Sequence, residues 1–343
     1  MKVFVTGVHG YIGALLAPYL MARGLEVIGL DAGFYRDGWL YSDPQRMPAS
    51  PPTLDKDLRA VTAEDLAGCD AVAHLAELSN DPLGQNRPEV TRRINHQGSV
   101  GLARAAHKAG IRRFVYVSSC SVYGAGSGEF LDETAPVNPQ TAYAECKVLA
   151  ERDLAAMADD DFCPVFLRNA TCYGPSPRMR FDIVLNDLTA LAWTTRRIAM
   201  TSDGSPWRPL VHVADACEAI YRSLVAPADA VRARVFNVGR TEENYRIREI
   251  ARIVADEFPG CELSTGPSTG DNRSYRVNFD RIHAELPGFE CRHDAREGAR
   301  QLHAVYRRIG LDEATYKFRA FTRLKQLNYL LASGQLDQDL YWT

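Results

Sequence analysis

The sequence predicts an α/β fold, a doubly wound parallel sheet with a smaller C-terminal lobe. Three observations predict it. The chain opens on a short β-rich apolar run, Val3-Phe4-Val5, followed by glycines at positions 7, 10 and 13 and an apolar helical pattern from Tyr11 to Leu20. A second apolar strand, Glu26 to Leu30, ends in a carboxylate, Asp31. Beyond it, apolar strands alternate with helical patterns as far as residue 175, the signature of parallel strands joined by helical crossovers.

In order, Ala32 to Pro52 reads as a loop excursion longer than a crossover needs, rich in aromatics and then in proline. The segment Asp70 to Ala76 is the next buried strand. Pro88 to Gly110 carries helical spacing of Val90, Ile94, Val100, Leu102, Ala105 and Ala106, stopped by Gly110. Arg113 to Ser118 is a strand, Gln140 to Met157 a helix, and Phe162 to Leu167 a strand. The alternation then loosens. Phe181 to Thr194 reads as a helix, Arg208 to Val213 as extended, Asp215 to Leu224 as a helix, Val235 to Val238 as a strand and Arg248 to Phe258 as a helix. The last stretch, Thr315 to Leu340, reads as one helix with apolar Phe318, Phe321, Leu324, Leu327 and Leu331; it shows no chemistry and suits packing or a subunit contact. The predicted division is therefore residues 1–175 for the parallel sheet, with some later segments returning to it, 176–314 mainly for a second lobe, and 315–343 for a helical extension.

Composition narrows the function. The 343 residues are 46% hydrophobic and 24% charged, ordinary for a globular protein, and the net charge of −3 offers no footprint for nucleic acid or anionic membrane. No apolar run approaches the roughly 20 residues that span a bilayer, and no leader is visible before the first strand. The eight cysteines are scattered without a C-x-x-C pair, which argues against zinc and against a disulfide framework and fits a reducing cytoplasm. His9, His74 and His212 have no second ligand at metal spacing; His74, at a strand end, reads as a hydrogen-bonded structural residue.

The glycines carry the first chemical signal. Gly7 permits a tight turn, Gly10 lets backbone approach a pyrophosphate, and Gly13 lets the helix pack against the strand, with the helix N-terminus facing the phosphates. Asp31 is placed to accept the ribose hydroxyls of an adenine dinucleotide. No arginine follows it, and a 2′-phosphate there would meet a negative charge, which favours NAD over NADP. The second signal is Tyr143-Ala-Glu-Cys-Lys147. Four apart on a helix, phenol and ammonium share a face, and the cation favours the phenolate, which suits proton transfer near neutral pH. The pair lies one βα unit beyond a serine-rich strand end, Val117-Ser-Ser-Cys-Ser-Val-Tyr-Gly124, where a hydroxyl could bond the same substrate oxygen.

With these pieces the chain resembles the extended short-chain dehydrogenase/reductase family, the NAD-dependent nucleotide-sugar epimerases and dehydratases. The resemblance spans about residues 1 to 285. It rests on Thr6-Gly-Val-His-Gly-Tyr-Ile-Gly13, Asp31, Asp57-Leu58, His74-Leu-Ala76, Asn95, Ser118-Ser-Cys-Ser-Val-Tyr-Gly124, Tyr143-x-x-x-Lys147 and Tyr173-Gly-Pro175. Arg208, Val211-His-Val213, Asp215 and Phe236-Asn-Val-Gly239 extend it. It implies a Rossmann-type fold and a catalytic triad of Ser119, Tyr143 and Lys147, with Ser119 chosen because it stands four residues before the tyrosine of Val-Tyr-Gly. It implies NAD held by Gly7, His9, Gly10, Tyr11, Ile12, Gly13, Asp31, Asp57, Leu58, Leu75, Ala76, Asn95, Ser118, Tyr143 and Lys147. A nucleotide-diphosphate sugar would meet Ser79, Ser119, Cys120, Ser121, Tyr143, Asn169, Thr171 and Asn186, with Arg208 and Arg273 near its diphosphate. A homodimer through the helices at 88–110 and 140–157 is also implied.

Three departures bear on the reaction. Family 4,6-dehydratases carry Asp-Glu directly after the catalytic Ser/Thr, where this chain has Cys120 and Ser121. Fucose-synthase-like enzymes place a cysteine at the position of Ser121, one after Cys120, so Cys120 reads as a small packing residue. The substrate-binding asparagine three residues before Gly-Pro is Thr171 here, with Asn169 two positions earlier. The leading expectation is C4 epimerisation with NAD recycled. A 4,6-dehydratase, a 4-keto-sugar reductase and, in another class, a non-catalytic NAD sensor are the alternatives.

Overall fold

The computed structural model describes residues 1–42, 50–79, 86–126, 128–267 and 274–343. In chain order its strands are β1 Lys2–Thr6, β2 Glu26–Asp31, β3 Thr53–Asp55, β4 Ala71–His74, β5 Arg113–Ser119, β6 Phe130–Leu131 and β7 Cys163–Asn169. β8 Thr171–Tyr173, β9 Arg197–Ala199, β10 Trp207–His212, β11 Val235–Val238, β12 Asn244–Arg246, β13 Glu262–Ser264 and β14 Arg276–Val277 follow. Seven of them form one parallel sheet in the order β11-β7-β5-β4-β1-β2-β3. This is the Rossmann-type arrangement that the alternating pattern predicts.

β1 is central because it is apolar on both faces. Val3, Phe4 and Val5 are fully buried, with Phe4 in register with Ile28 of β2 and Val72 of β4. Chain order reverses between β1 and β4, and a sheet of this kind opens a crevice at the carboxyl ends of its strands at such a point. The helix Gly13–Met21 covers one face with Leu16, Ala17 and Leu20; the helices Ser99–Lys108 and Ala142–Ala155 cover the other with Leu102, Ala106, Ala150 and Leu154.

The smaller sheets, β12-β10-β8, β13-β9 and β14-β6, draw mainly on the later part of the chain, with β6 joining β14 from before β7. The helices Val184–Thr195, Ile247–Glu257 and Ala295–Ile309 pack there around Leu188, Ile250, Val254, Leu302 and Tyr306. The helix Ala295–Ile309 was not predicted from sequence, although Asp294 caps it by accepting from Glu297 N at 2.7 Å and its apolar residues recur at helical spacing.

Two predicted helices are corrected. The stretch from Pro88 is not continuous: Pro88–Thr91 passes through a π-helical stretch, Arg92–Gly98, into Ser99–Lys108. That wider turn includes Asn95, whose side chain is fully buried and bonds backbone across the chain. The single helix predicted over 315–340 is instead a short helix Glu313–Lys317, a 3₁₀ turn Arg319–Phe321 and a helix Arg323–Ala332, followed by a bridge between Leu336 and Trp342. Phe318 breaks it with an extended ψ of 130°, and Gly334, at φ +70°, turns the chain back. The loop after Asp31 returns to the sheet as β3, whose three half-buried or exposed residues carry no readable pattern. Its segment 43–49 lies outside the described residues.

Candidate active site

The crevice at the strand ends is a cavity of about 680 Å³. The glycine loop forms one wall. Gly7 takes φ +70°, and Gly10 N donates to Gly7 O at 2.9 Å. A Cβ on Gly13 would stand 2.1 Å from Gly7 O, so only glycine lets this helix begin so close to β1. Asp31 lines the same wall. Its Oδ2 accepts from His9 N at 3.0 Å and its Oδ1 from Gly33 N at 2.8 Å, which fixes the carboxylate and leaves lone pairs for a ribose diol. Asp57, Leu58, Leu75 and Ala76 complete this end. A close-approach glycine loop beside an anchored carboxylate and an apolar slot is the donor set that an adenine dinucleotide fits.

The other end holds the predicted triad. Ser119 ends β5; its Oγ accepts from Ser121 N at 3.1 Å, leaving its proton free to donate. Tyr143 and Lys147 sit in the first turns of the helix Ala142–Ala155, which Thr141 caps by accepting from Ala144 N at 3.2 Å. Lys147 Nζ lies 5.5 Å from the centre of the Tyr143 ring. It donates to Val117 O at 2.5 Å and lies 2.7 Å from Glu77 Oε2.

Glu77 was not anticipated, although it directly follows Leu75-Ala76. It is buried, accepts from Tyr116 OH at 2.7 Å, and its carboxyl is pushed up from the ordinary range by burial, against the pull of Lys147. A second unanticipated group is Arg180, which lines the cavity, pairs with Asp182 at 2.8 Å and donates to Ser79 Oγ at 3.3 Å. A third, Arg323, comes from the segment that the sequence assigns to packing or a subunit contact.

Of the residues assigned to cofactor and substrate, several lie elsewhere. His9 contributes its backbone N–H to Asp31 but does not line the cavity. Asn95 is a support: Oδ1 accepts from Leu78 N at 2.8 Å and Nδ2 donates to Leu78 O at 3.1 Å, which holds the cavity-lining Leu78 in place. Cys120 is 1% exposed and its thiol donates to Arg168 O, away from the cavity. Asn186 is fully buried, accepting from Gly174 N at 3.0 Å and donating to Tyr11 OH at 3.2 Å. Ser118 reaches the wall, yet its hydroxyl donates to Glu151 Oε1 at 2.5 Å. Arg273 lies outside the described residues. Ser79, Ser121, Asn169, Thr171 and Arg208 do line the cavity, and Ser121 Oγ and Asn169 Oδ1 are buried with no partner among the described residues.

A polar thread runs beneath the site. Leu75 N and Ala76 N both donate to Thr6 Oγ1, at 3.1 and 3.0 Å, so Thr6 gives its own proton to His74 Nδ1 at 2.7 Å. His74 then donates from Nε2 to Ser99 at 2.8 Å. Burial, assisted by Lys147, lowers the His74 pKa to about 3. Below pH ~6.5 the unfolded chain gains a proton that folded His74 refuses, so stability falls as pH drops from there towards 3. His212, lowered to about 4, acts in the same direction; His293, raised by Asp215, opposes it. In urea titrations across this range, His74→Gln should flatten the acid slope; an unchanged slope would exclude His74 as a source.

Comparison with known proteins places this geometry. The model for the NAD dependent epimerase/dehydratase family matches residues 3–239. The chain belongs to that family. As an NAD dependent epimerase/dehydratase it takes NAD as its cofactor, in keeping with the dinucleotide cradle. It is 30% identical over 301 residues to a UDP-glucose 4-epimerase of Mycolicibacterium smegmatis, covering 83% of this chain and 92% of the relative. It is 28% identical over 319 residues to a dTDP-glucose 4,6-dehydratase of Streptomyces griseus, covering 86% and 91%. Among solved structures, MoeE5 in complex with UDP-glucose and NAD superimposes with a TM-score of 0.75 at 27% identity, over 90% of this chain and all of that one. The chain is thus an enzyme of a family that holds both epimerases and dehydratases. Among the described residues no helix is long and apolar enough to cross a membrane.

Proposed function

We propose that the protein is a nucleotide-sugar 4-epimerase. One observation carries the reading: among the described residues, every carboxylate lining the cavity already has a partner. Asp31 takes two backbone amides, Asp57 pairs with Arg59 at 2.7 Å, Glu77 with Lys147 at 2.7 Å and Asp182 with Arg180 at 2.8 Å. Eliminating water from a sugar needs a free acid and base beside the triad. The positions next to Ser119 hold Cys120, turned away, and Ser121, neither of them a carboxylic acid. Epimerisation asks for no group beyond the triad.

In this reading Tyr143, as phenolate, takes the proton of the C4 hydroxyl. Ser119 donates a hydrogen bond to that oxygen as it becomes a carbonyl, and Lys147 offers its remaining N–H to the cavity beside the tyrosine. NAD bound at the glycine loop would supply the reversible hydride acceptor that this oxidation and its reversal at C4 require. The 4-keto sugar must present its other face before the return, and Ser121 Oγ and Asn169 Oδ1, which have no partner among the described residues, offer polar contacts for either orientation. Return of the hydride and of the Tyr143 proton leaves the enzyme unchanged.

A second reading, 4,6-dehydration, is favoured by one feature: Glu77 lies in the cavity with its carboxyl pushed towards the neutral form, as a general acid requires. Incubating a nucleotide-sugar panel with the protein in deuterated water separates the two. The expected product has unchanged mass and no carbon-bound deuterium. A product lighter by one water and carrying solvent deuterium would overturn the epimerase reading and move the role of acid to Glu77.

A further inference from the structure

The C-terminal segment is part of the cofactor cavity wall. Thr322, Arg323 and Leu324 line it. Arg323 is 3% exposed, and its guanidinium carbon lies 3.9 Å from the centre of the Tyr35 ring. Its backbone N–H donates to Asp182 Oδ2 at 3.1 Å, but no hydrogen-bond acceptor among the described residues receives its guanidinium. The carboxylates whose charge it feels are committed. Asp182 receives both Nε and Nη2 of Arg180, at 2.8 and 3.2 Å, and Asp31 receives the amides of His9 and Gly33. Burial, followed by the neighbouring Arg180, pulls its pKa down only to about 10, so the group is a cation at neutral pH. A buried cation with donors unspent is costly unless an anion meets it.

The surroundings say which anion. Tyr35 lies four residues beyond Asp31, which ends β2, and Arg323 feels the charge of Asp31, so Arg323 stands at the dinucleotide end of the cavity; Arg208 is on β10, in the other part of the fold. The segment is fastened to that end. Gln326 Nε2 donates to Phe34 O at 3.1 Å, Trp342 Nε1 to Ala32 O at 2.6 Å, and Arg59 Nη1 to Asp339 O at 2.8 Å. Leu327, Leu330, Leu336 and Leu340 bury themselves with Phe34, Leu78, Val90 and Ile94.

We propose that Arg323 binds the diphosphate of NAD, making the C-terminal segment a clasp that holds the cofactor in place. A nucleotide sugar offers the same diphosphate chemistry, and the test separates the two sources. Wild type, Arg323→Gln and Arg323→Lys are saturated with NAD and desalted. NAD retained per chain is measured by acid extraction, and its release rate by chase with isotopically labelled NAD. UDP affinity of the NAD-loaded proteins is measured by calorimetry. Loss of a charge-assisted contact should speed NAD release by on the order of 10–100-fold in Arg323→Gln with UDP affinity unchanged. Arg323→Lys, which keeps the charge without the planar fork, should release at an intermediate rate and guards against a folding defect in the glutamine variant. Equal release from all three proteins would overturn the proposal. Weakened UDP binding with NAD retention intact would overturn it too, and give Arg323 to the substrate. A wild type that takes up no NAD would refute the cofactor assignment itself, a failure distinct from either.

Discussion

Tyr143→Phe is expected to lower turnover by roughly 10²–10⁴-fold, the range for loss of a positioned acid–base group, and to leave the fold and the bound NAD in place. The ring stays, and with it the wall of the cavity and the neighbourhood of Lys147 Nζ, 5.5 Å from the ring centre. What goes is the oxygen that takes the C4 proton. The effect should fall on kcat, because the lost interaction is made in the transition state. Circular dichroism and extracted NAD matching wild type, with product formation near the detection limit, is the expected result. Turnover at the wild-type rate would refute the mechanism.

The largest effect on stability is expected at Arg168. On β7, beneath the catalytic helix, its Nη2 donates to Glu151 Oε2 at 2.7 Å and its Nε to Oε1 at 3.0 Å, while Nη1 donates to Tyr123 OH at 3.1 Å. The side chains of Arg168 and Glu151 are 8% and 9% exposed. Arg168→Met removes one charge and strands the other, at a cost of about 3–5 kcal/mol. Glu151→Leu alone should cost a similar amount by stranding the guanidinium. The double variant should recover much of the loss, since an apolar pair has no charge to bury. Urea denaturation of the three variants checks this, and additive losses would mean that the pair is not coupled. Because Glu151 is one turn beyond Lys147 on the same helix, the single variants should also lose activity.

The sheet was legible because its signals are local. Val3-Phe4-Val5, the glycines at 7, 10 and 13, and Asp31 all fall within the first 31 residues, on two neighbouring strands and the turn between β1 and its helix. Tyr143 and Lys147 were legible for the same reason, being one helical turn apart. What escaped was chemistry assembled over distance. Arg323 lines the cavity at the start of a separate helix, beyond the break at Phe318 in a stretch whose leucine spacing reads as one helix. Arg180 and Asp182 sit two apart, spacing that suggests nothing until the chain folds against Ser79. The resemblance gives Asn95 and Asn186 to the ligands, yet Asn95 spends its amide on the backbone of Leu78, and Asn186 spends its own on Gly174 N, Arg180 O and the Tyr11 hydroxyl. Sequence shows the residue type but not where its hydrogen bonds go.

The fastening of residues 339–342 has a bearing on synthesis. Arg59 meets the backbone of Asp339, 280 residues on, and Trp342 meets Ala32 across 310. A chain leaving the ribosome can pair β1, β2 and β4 early, since all three lie within the first 74 residues. The edge beside Phe34 stays uncovered until translation has passed residue 342. During that interval Phe34, Val90 and Ile94 lack the leucines that bury them, so the nascent sheet carries a sticky apolar flank. Stalled or proteolysed chains ending before residue 323 would keep that flank permanently, and they are the species for which chaperones and proteases should compete.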